Sequence, residues 1–77
     1  MDITMIEGIV NAVVFSNHEN GYCVLRLETD GGLITVTGSV PGVSAGERLV
    51  MTGEWMTHPQ YGEQFKAETY ELRPPNT

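Results

Sequence analysis

Short runs of apolar residues, rich in Val and Ile, alternate with polar positions along the chain, and Gly, Pro and Asn separate the runs. The longest run, Ile3 to Phe15, comes first. Its β-branched residues and the internal Gly8 favour a strand over a helix, and an apolar strand that holds a glycine is typical of a coiled barrel strand. Alternation by two predicts one face with Ile6, Gly8, Val10, Ala12 and Val14, and a second face with Ile9, Val13 and Phe15.

Two shorter strands are predicted next, each bounded by turn residues. Tyr22 to Glu28 alternates between two sets of side chains, and its pattern does not decide which set faces inward. Leu33 to Gly38 follows as the third strand, with Ile34 and Val36 on one side. The chain reverses at the polar turn from Ser16 to Gly21 and again at Asp30 to Gly32, where Gly and Asn tolerate positive φ.

The last two strands are predicted to form a hairpin. A crossover from Val40 to Gly46 contains too many helix breakers for more than one helical turn. Arg48 to Met56 is the fourth strand, and Gln64 to Leu72 is the fifth, after a loop around Pro59 and Gly62. The apolar phase of the fifth strand slips between Phe65/Ala67 and Tyr70/Leu72, which indicates a β-bulge.

Five short strands without a helix of ten residues indicate an all-β domain. The long first strand, the crossover and the closing hairpin fit the five-stranded oligonucleotide-binding (OB) barrel. An SH3-like barrel is the alternative, although it would more often show a one-turn helix before its last strand. Residues 1–73 are expected to form the barrel, and residues 74–77, beginning Pro74-Pro75, to begin a linker.

The composition limits the chain to one small domain. It has 77 residues, of which 40% are hydrophobic. No run reaches the roughly 18 apolar residues of a membrane span, and the first residues do not have the plan of a signal peptide, so a cytoplasmic location is expected. The single cysteine, Cys23, cannot form an internal disulfide, which agrees with a reducing compartment.

The charge argues against tight electrostatic binding of nucleic acid. Four basic residues stand against ten acidic ones, so the net charge is -6. Contacts from all four to phosphates of a single strand would give a salt slope of only about 3. This chain alone is therefore not expected to bind nucleic acid tightly.

Several segments carry a family resemblance. They are Glu7-Gly8-Ile9-Val10, Asn17 to Leu27, Gly38 to Gly42, Gly46-Glu47-Arg48-Leu49 and Gly53 to Phe65. With them the chain resembles the N-terminal OB-type domain of RecD-like bacterial DNA helicases, which are similar to the exodeoxyribonuclease V alpha subunit and carry a long N-terminal extension. The Gly-Glu-Trp followed by His-Pro-Gln-Tyr-Gly-Glu-Gln-Phe is its most specific part.

The resemblance implies a parent enzyme that uses ATP and Mg²⁺ to move 5′ to 3′ on single-stranded DNA, in DNA repair and recombination. This chain has no Gly-x-x-x-x-Gly-Lys-Ser/Thr phosphate loop and only one lysine, Lys66. We therefore expect no enzymatic activity and no cofactor in this fragment. It is expected to be an N-terminal domain, starting at Met1, whose partner is the remainder of the helicase.

The candidate binding residues follow from the predicted fold. In an OB barrel the loops after strands one and four flank the ligand face of strands two and three. Tyr22, His58 and Tyr61 are predicted to stack on bases, while Arg26 and Lys66 are predicted to meet phosphates. In the alternative interpretation the two loops only shape turns, and the Tyr61 ring lies over the barrel mouth.

Other side chains are expected to have structural roles. Trp55 and Phe65 are predicted to pack together across the closing hairpin, with stacking on a nucleotide as the alternative. The two histidines and Cys23 lack the spacing of a metal site, so no metal is predicted. The acids Glu19, Glu54 and Glu63 suggest no catalytic dyad and are expected to lie on the solvated surface.

Two functions remain open at this point. The first is an accessory domain of a helicase that contacts single-stranded DNA weakly. The second is a docking module that binds another part of the helicase or a DNA-repair protein without touching DNA. The acidic balance favours docking, and the position of the two loops favours DNA.

Overall fold

A computed structural model describes residues 3–40 and 42–73. It contains five strands, which are β1 (Thr4–Ser16), β2 (Tyr22–Thr29), β3 (Gly32–Ser39), β4 (Arg48–His58) and β5 (Gly62–Arg73). They close into a barrel in the order β1-β2-β3-β5-β4, and β4 pairs back to β1. The β3–β5 contact is parallel and the other pairs are antiparallel. The predicted five-stranded OB barrel is confirmed, in preference to the SH3-like alternative.

The connection from β3 to β4 contains turns and no helix in its described part. Val40 is buried and Val43 packs against the core from this segment. The segment also pairs with β1, because the Gly46 amide donates to the Val10 carbonyl at 2.8 Å. More generally, no helix in the described ranges is long and apolar enough to span a membrane. The predicted linker at 74–77 lies outside the described residues.

The barrel core decides the inward face of β2, which the sequence pattern left open. Cys23, Leu25 and Leu27 are buried, whereas Tyr22 and Arg26 are exposed on the other face. The buried hydrophobic residues are Val10, Cys23, Leu25, Leu27, Val36, Val40, Leu49, Met51 and Phe65. The outer face of β2 therefore presents an aromatic ring and a guanidinium to solvent.

Two bulges in β1 make the predicted simple alternation wrong beyond Val10. The β1–β2 register shifts between Val10 and Ala12 and again between Val13 and Phe15. Each shift inserts one unpaired residue and moves the following side chains to the opposite face. Val14 was expected on the face of Val10, which is 1% exposed, yet Val14 is 58% exposed. The second bulge thus brings both Val14 and Phe15 to the outer surface near the start of β2.

The β4–β5 hairpin agrees with its sequence pattern. The predicted bulge in β5 is confirmed, since Thr52 pairs with Thr69 and Gly53 with Ala67, which leaves Glu68 as the extra residue. Trp55 and Phe65 are paired across the strands in an edge-to-face arrangement, with ring centroids 5.2 Å apart. The predicted packing across the hairpin is therefore present.

Glycine is required where strands of this small barrel approach most closely. A Cβ atom on Gly53 would collide with the backbone carbonyl of Lys66, and one on Gly8 would collide with that of Glu28. Neither residue has a positive φ, so the need is for space and not for an unusual backbone conformation. The close approach at Gly8 agrees with the prediction that β1 is a coiled barrel strand.

Candidate nucleic-acid interface

A groove of about 530 Å³ lies on the outer face of β2 and β3, between the end of β1 and the β4–β5 hairpin. This is the side of the barrel on which OB folds bind their ligands. Its lining comprises Val14, Phe15, Tyr22, Val24, Arg26, Thr35, Thr37, His58, Tyr61 and Gln64. Four aromatic or imidazole rings thus share one concave surface with a single guanidinium.

No acidic residue lines this groove, although the chain carries ten. A second groove, of about 220 Å³, instead gathers Glu7, Glu28 and Asp30 around Arg48. These three carboxylates therefore lie away from the aromatic surface. The lining of the aromatic groove itself contains one positively charged residue, Arg26, and no acidic one.

The first aromatic pair in the groove comes from the junction of β1 and β2. The Phe15 and Tyr22 rings are tilted by 59° with centroids 6.4 Å apart, and the two residues are 51% and 41% exposed. A tight turn holds them, since the Asn17 amide donates to the Tyr22 carbonyl and the Gly21 amide to the Asn17 carbonyl, each at 2.8 Å. Gly21 has φ 75°. This conformation is the one predicted for the Asn20-Gly21 turn.

The second pair comes from the β4–β5 hairpin. The His58 and Tyr61 rings have centroids 4.7 Å apart and an interplanar angle of 34°. The His58 Nδ1 atom accepts the backbone amide of Gln60 at 3.0 Å and that of Tyr61 at 3.2 Å. Tyr61 itself is 70% exposed. The ring of Tyr61 is consequently covered on one side by an imidazole and open to solvent elsewhere.

The floor of the groove is polar, and it contains Arg26, the only Lys, Arg, Asp or Glu among the residues that line the groove. Arg26 lies on β2 between Ala12 of β1 and Thr35 of β3 in the ladder. The ion pairs among the described residues are Arg48 with Glu7 and Arg73 with Glu71, so none of them engages Arg26. Its guanidinium is thus available to an anionic ligand, and the five N–H donors of arginine suit a phosphate.

The structure brings together four of the five residues predicted to bind nucleic acid, namely Tyr22, Arg26, His58 and Tyr61. The fifth, Lys66, does not line the groove. It lies in β5 beside Thr37 of β3 and Glu54 of β4, and it is exposed. The binding roles of all five remain predictions, and Lys66, as the ladder partner of the groove residue Thr37, lies beside the groove without lining it.

Several groove residues were missed by the sequence reasoning. The predicted alternation of β3 already placed Thr35 and Thr37 opposite Ile34 and Val36, so the outward position of the threonines was available from the pattern. The alternation of β1 likewise placed Phe15 opposite Val10, whereas the outward position of Val14 was not recoverable in this way, because it depends on the bulges in β1. Bulges follow from pairing with a second strand and leave no fixed sequence signal.

The closed five-stranded barrel and the aromatic groove between its turns define the chain as an OB-fold domain. Residues 3–75 match the family model described as the OB-fold domain of ATP-dependent DNA helicase YrrC. The chain therefore belongs to this family of helicase OB-fold domains. This match confirms the predicted identification as an accessory OB domain within a larger helicase chain.

Proposed function

We propose that this domain serves a RecD-like, 5′-to-3′ DNA helicase, similar to the exodeoxyribonuclease V alpha subunit, and contacts single-stranded DNA weakly through the aromatic groove. The observation that carries the proposal is the composition of that groove. Two aromatic pairs and Arg26 line it without a carboxylate, in a chain whose net charge is -6. Such a surface binds unpaired bases by stacking and needs few phosphate contacts.

Each side chain has a distinct role in this proposal. The exposed rings of Tyr22 and Tyr61 stack on bases, and each stack is worth about 1–3 kcal/mol. Phe15 and His58 support these two rings from the side. Arg26 contacts a phosphate between them. Binding is weak because one phosphate contact releases few counterions, which gives a salt slope of only about 0.7 on a single strand.

The ATP chemistry of the family is assigned to the rest of the helicase. The sequence contains no phosphate-loop motif, and its one lysine lies on a strand. Within residues 3–40 and 42–73, no three His, Cys, Asp or Glu side chains are grouped to hold a metal ion. Both observations support our proposal that ATP and Mg²⁺ bind to other parts of the helicase. We place the parent helicase in the cytoplasm, in DNA repair and recombination.

Arg26→Gln is expected to weaken binding of a labelled oligothymidine and to lower the slope of log K against log salt by about 0.7. The reason is the loss of one phosphate contact. Fluorescence anisotropy at a series of salt concentrations measures both quantities. Adding Lys66→Gln lowers the slope by about 0.7 again only if the strand reaches beyond the groove.

Arg48→Gln is the matched control for this experiment, because Arg48 lies in the acidic groove and pairs with Glu7. It is expected to leave the slope unchanged. An equal change in slope for the Arg48 and Arg26 variants would mean that the domain responds to overall charge, and it would contradict a phosphate contact at Arg26.

A docking role is the second candidate, and it is favoured by the end of β5. Tyr70 and Leu72 lie opposite Met51 and Leu49 in the β4–β5 ladder, and these two partners are 0% exposed. Tyr70 and Leu72 are nevertheless 36% and 48% exposed. Because β3 pairs with β5 only near its start, the second half of β5 also has a free edge in the described structure. Exposed apolar side chains beside an unpaired edge suit an incoming segment of protein.

Leu72→Ser is expected to weaken binding of this domain to the separately expressed remainder of the helicase by about tenfold or more, since full burial of a leucine is worth about 1.5–3 kcal/mol. Titration calorimetry measures the affinity. Leu33→Ser is the control, because Leu33 is 54% exposed at the start of β3. Equal affinity of both variants and the unchanged chain would rule out docking through β5.

A further inference from the structure

We infer that His58 is a positioning residue whose Nδ1 atom holds Tyr61 ready to stack, and that it does not itself stack on a base. This inference rests on the proposed function for its ligand, because Tyr61 is taken as a platform for single-stranded DNA. The structural part of the inference is that one acceptor atom of His58 holds the Tyr61 loop, and this part does not depend on any ligand.

The hydrogen bonds assign the chemical state of the imidazole. Nδ1 accepts two backbone N–H groups, from Gln60 at 3.0 Å and from Tyr61 at 3.2 Å. An imidazole nitrogen accepts only through its free lone pair, so these two bonds require the tautomer whose hydrogen is on Nε2. Both bonds close the loop onto the end of β4, and the second fixes the backbone of Tyr61 itself.

The ring of His58 is already occupied by a contact within the protein. The centroid of its ring lies 4.7 Å from that of Tyr61, and the two rings are tilted by 34°. The Tyr61 ring therefore covers the nearer face of the imidazole. His58 is also half-buried, whereas Tyr61 is 70% exposed. Of the two rings, Tyr61 is therefore the one that offers open area to a base, and His58 supports it.

An exposed tyrosine on a loop tip would ordinarily sample several positions, and binding would have to order it. The double acceptor at Nδ1 removes part of that freedom before the ligand arrives. Preorganisation of this kind raises affinity by lowering the cost of ordering the interface. The segment His58 to Gly62 thus holds its tyrosine in place. The acceptor, His58, stands three residues before Tyr61, and Gly62, with φ 83°, follows it.

Two substitutions separate positioning from direct stacking. His58→Asn keeps a short acceptor that is able to bond the amides two and three residues on, but removes the ring. His58→Phe keeps a ring and removes the acceptor. If His58 positions Tyr61, the Asn variant retains oligothymidine affinity within about twofold, and the Phe variant loses about two- to tenfold, the cost of ordering one side chain. The opposite order of the two variants would overturn the inference and assign stacking to His58.

Amide hydrogen exchange at Tyr61 tests the clamp without DNA. Exchange is expected to accelerate about fivefold in the Phe variant, the effect of losing one hydrogen bond, and to stay near that of the unchanged chain in the Asn variant. Equal exchange in all three would overturn the inference, whatever the DNA result. Conversely, the expected exchange pattern in a chain that binds no oligothymidine would uphold the clamp and defeat only the proposed DNA contact.

Discussion

Replacing Phe65 with alanine is expected to lower the free energy of unfolding of this domain by about 3–5 kcal/mol. Phe65 is the largest of the fully buried side chains, and its ring packs edge-on against Trp55. It also lies where β5 meets Val36 of β3, which is the contact that closes the barrel. A domain of this size is stable by only about 4–12 kcal/mol, so the variant loses a large share of its stability.

Urea denaturation followed by far-UV circular dichroism measures this change. Tyr61→Ala is the control, since it also removes an aromatic ring from the same hairpin but from a side chain that is 70% exposed. Its effect on unfolding is expected to stay within about 0.5 kcal/mol. A loss for Phe65→Ala no greater than that of the control would show that the core does not depend on the β3–β5 closure.

The second large effect is expected on binding. Changing Tyr22 and Tyr61 together to alanine removes both proposed stacking platforms, at about 1–3 kcal/mol each, and is expected to abolish detectable binding of oligothymidine at low salt. The starting affinity is expected to be weak, because Arg26 is the only charged residue that lines the groove. Fluorescence anisotropy of the labelled oligonucleotide is the measurement, and circular dichroism confirms that the double variant remains folded.

Tyr70→Ala is the matched control for the double variant. It removes the third tyrosine of the chain, which lies on β5 outside the groove. It is expected to leave oligothymidine affinity unchanged. If the double variant also binds as the unchanged chain does, the groove is not the DNA site, and the docking role at the end of β5 becomes the better account of the domain.

The closing hairpin carries one residue of each prediction, with a buried packing residue, Phe65, and an exposed residue proposed to bind DNA, Tyr61. Phe65 points into the barrel and is 0% exposed, while Tyr61 stands on the loop four residues earlier. The hairpin was expected from sequence to combine a packing role with a binding loop. The structure places the packing side chain inside the barrel, and in our proposal the loop contributes His58 as the positioning residue and Tyr61 as the stacking platform.

Net charge alone does not describe the groove. A net charge of -6 argued against tight binding of nucleic acid. Net charge is a sum over the whole surface, however, and Glu7, Glu28 and Asp30 line a different groove from the aromatic one. Which acidic residues line a groove depends on which strands meet, and composition does not record that.

Much of the fold was predictable because it follows from local alternation and turn chemistry. The five strands, the bulge in β5 and the Trp55–Phe65 pair all agree with the pattern. The candidate site was recovered in part, since four of its five proposed residues share the groove. Lys66 does not line the groove, but it is the ladder partner of the groove residue Thr37, so its proposed contact with phosphate stays a prediction.

The amino-acid sequence by itself determined that this chain is a small all-β barrel, since periodicity and turn residues are properties of neighbouring residues, and its resemblance to a known family pointed to a helicase OB domain. Only the tertiary structure decided which face of β2 turns outward, that the bulges of β1 bring Val14 to the outer surface, and that no acidic residue lines the groove. Those features arise from pairing between strands distant in sequence. The register that shapes the groove is set by core packing, because one slipped residue would reverse every side chain that follows it.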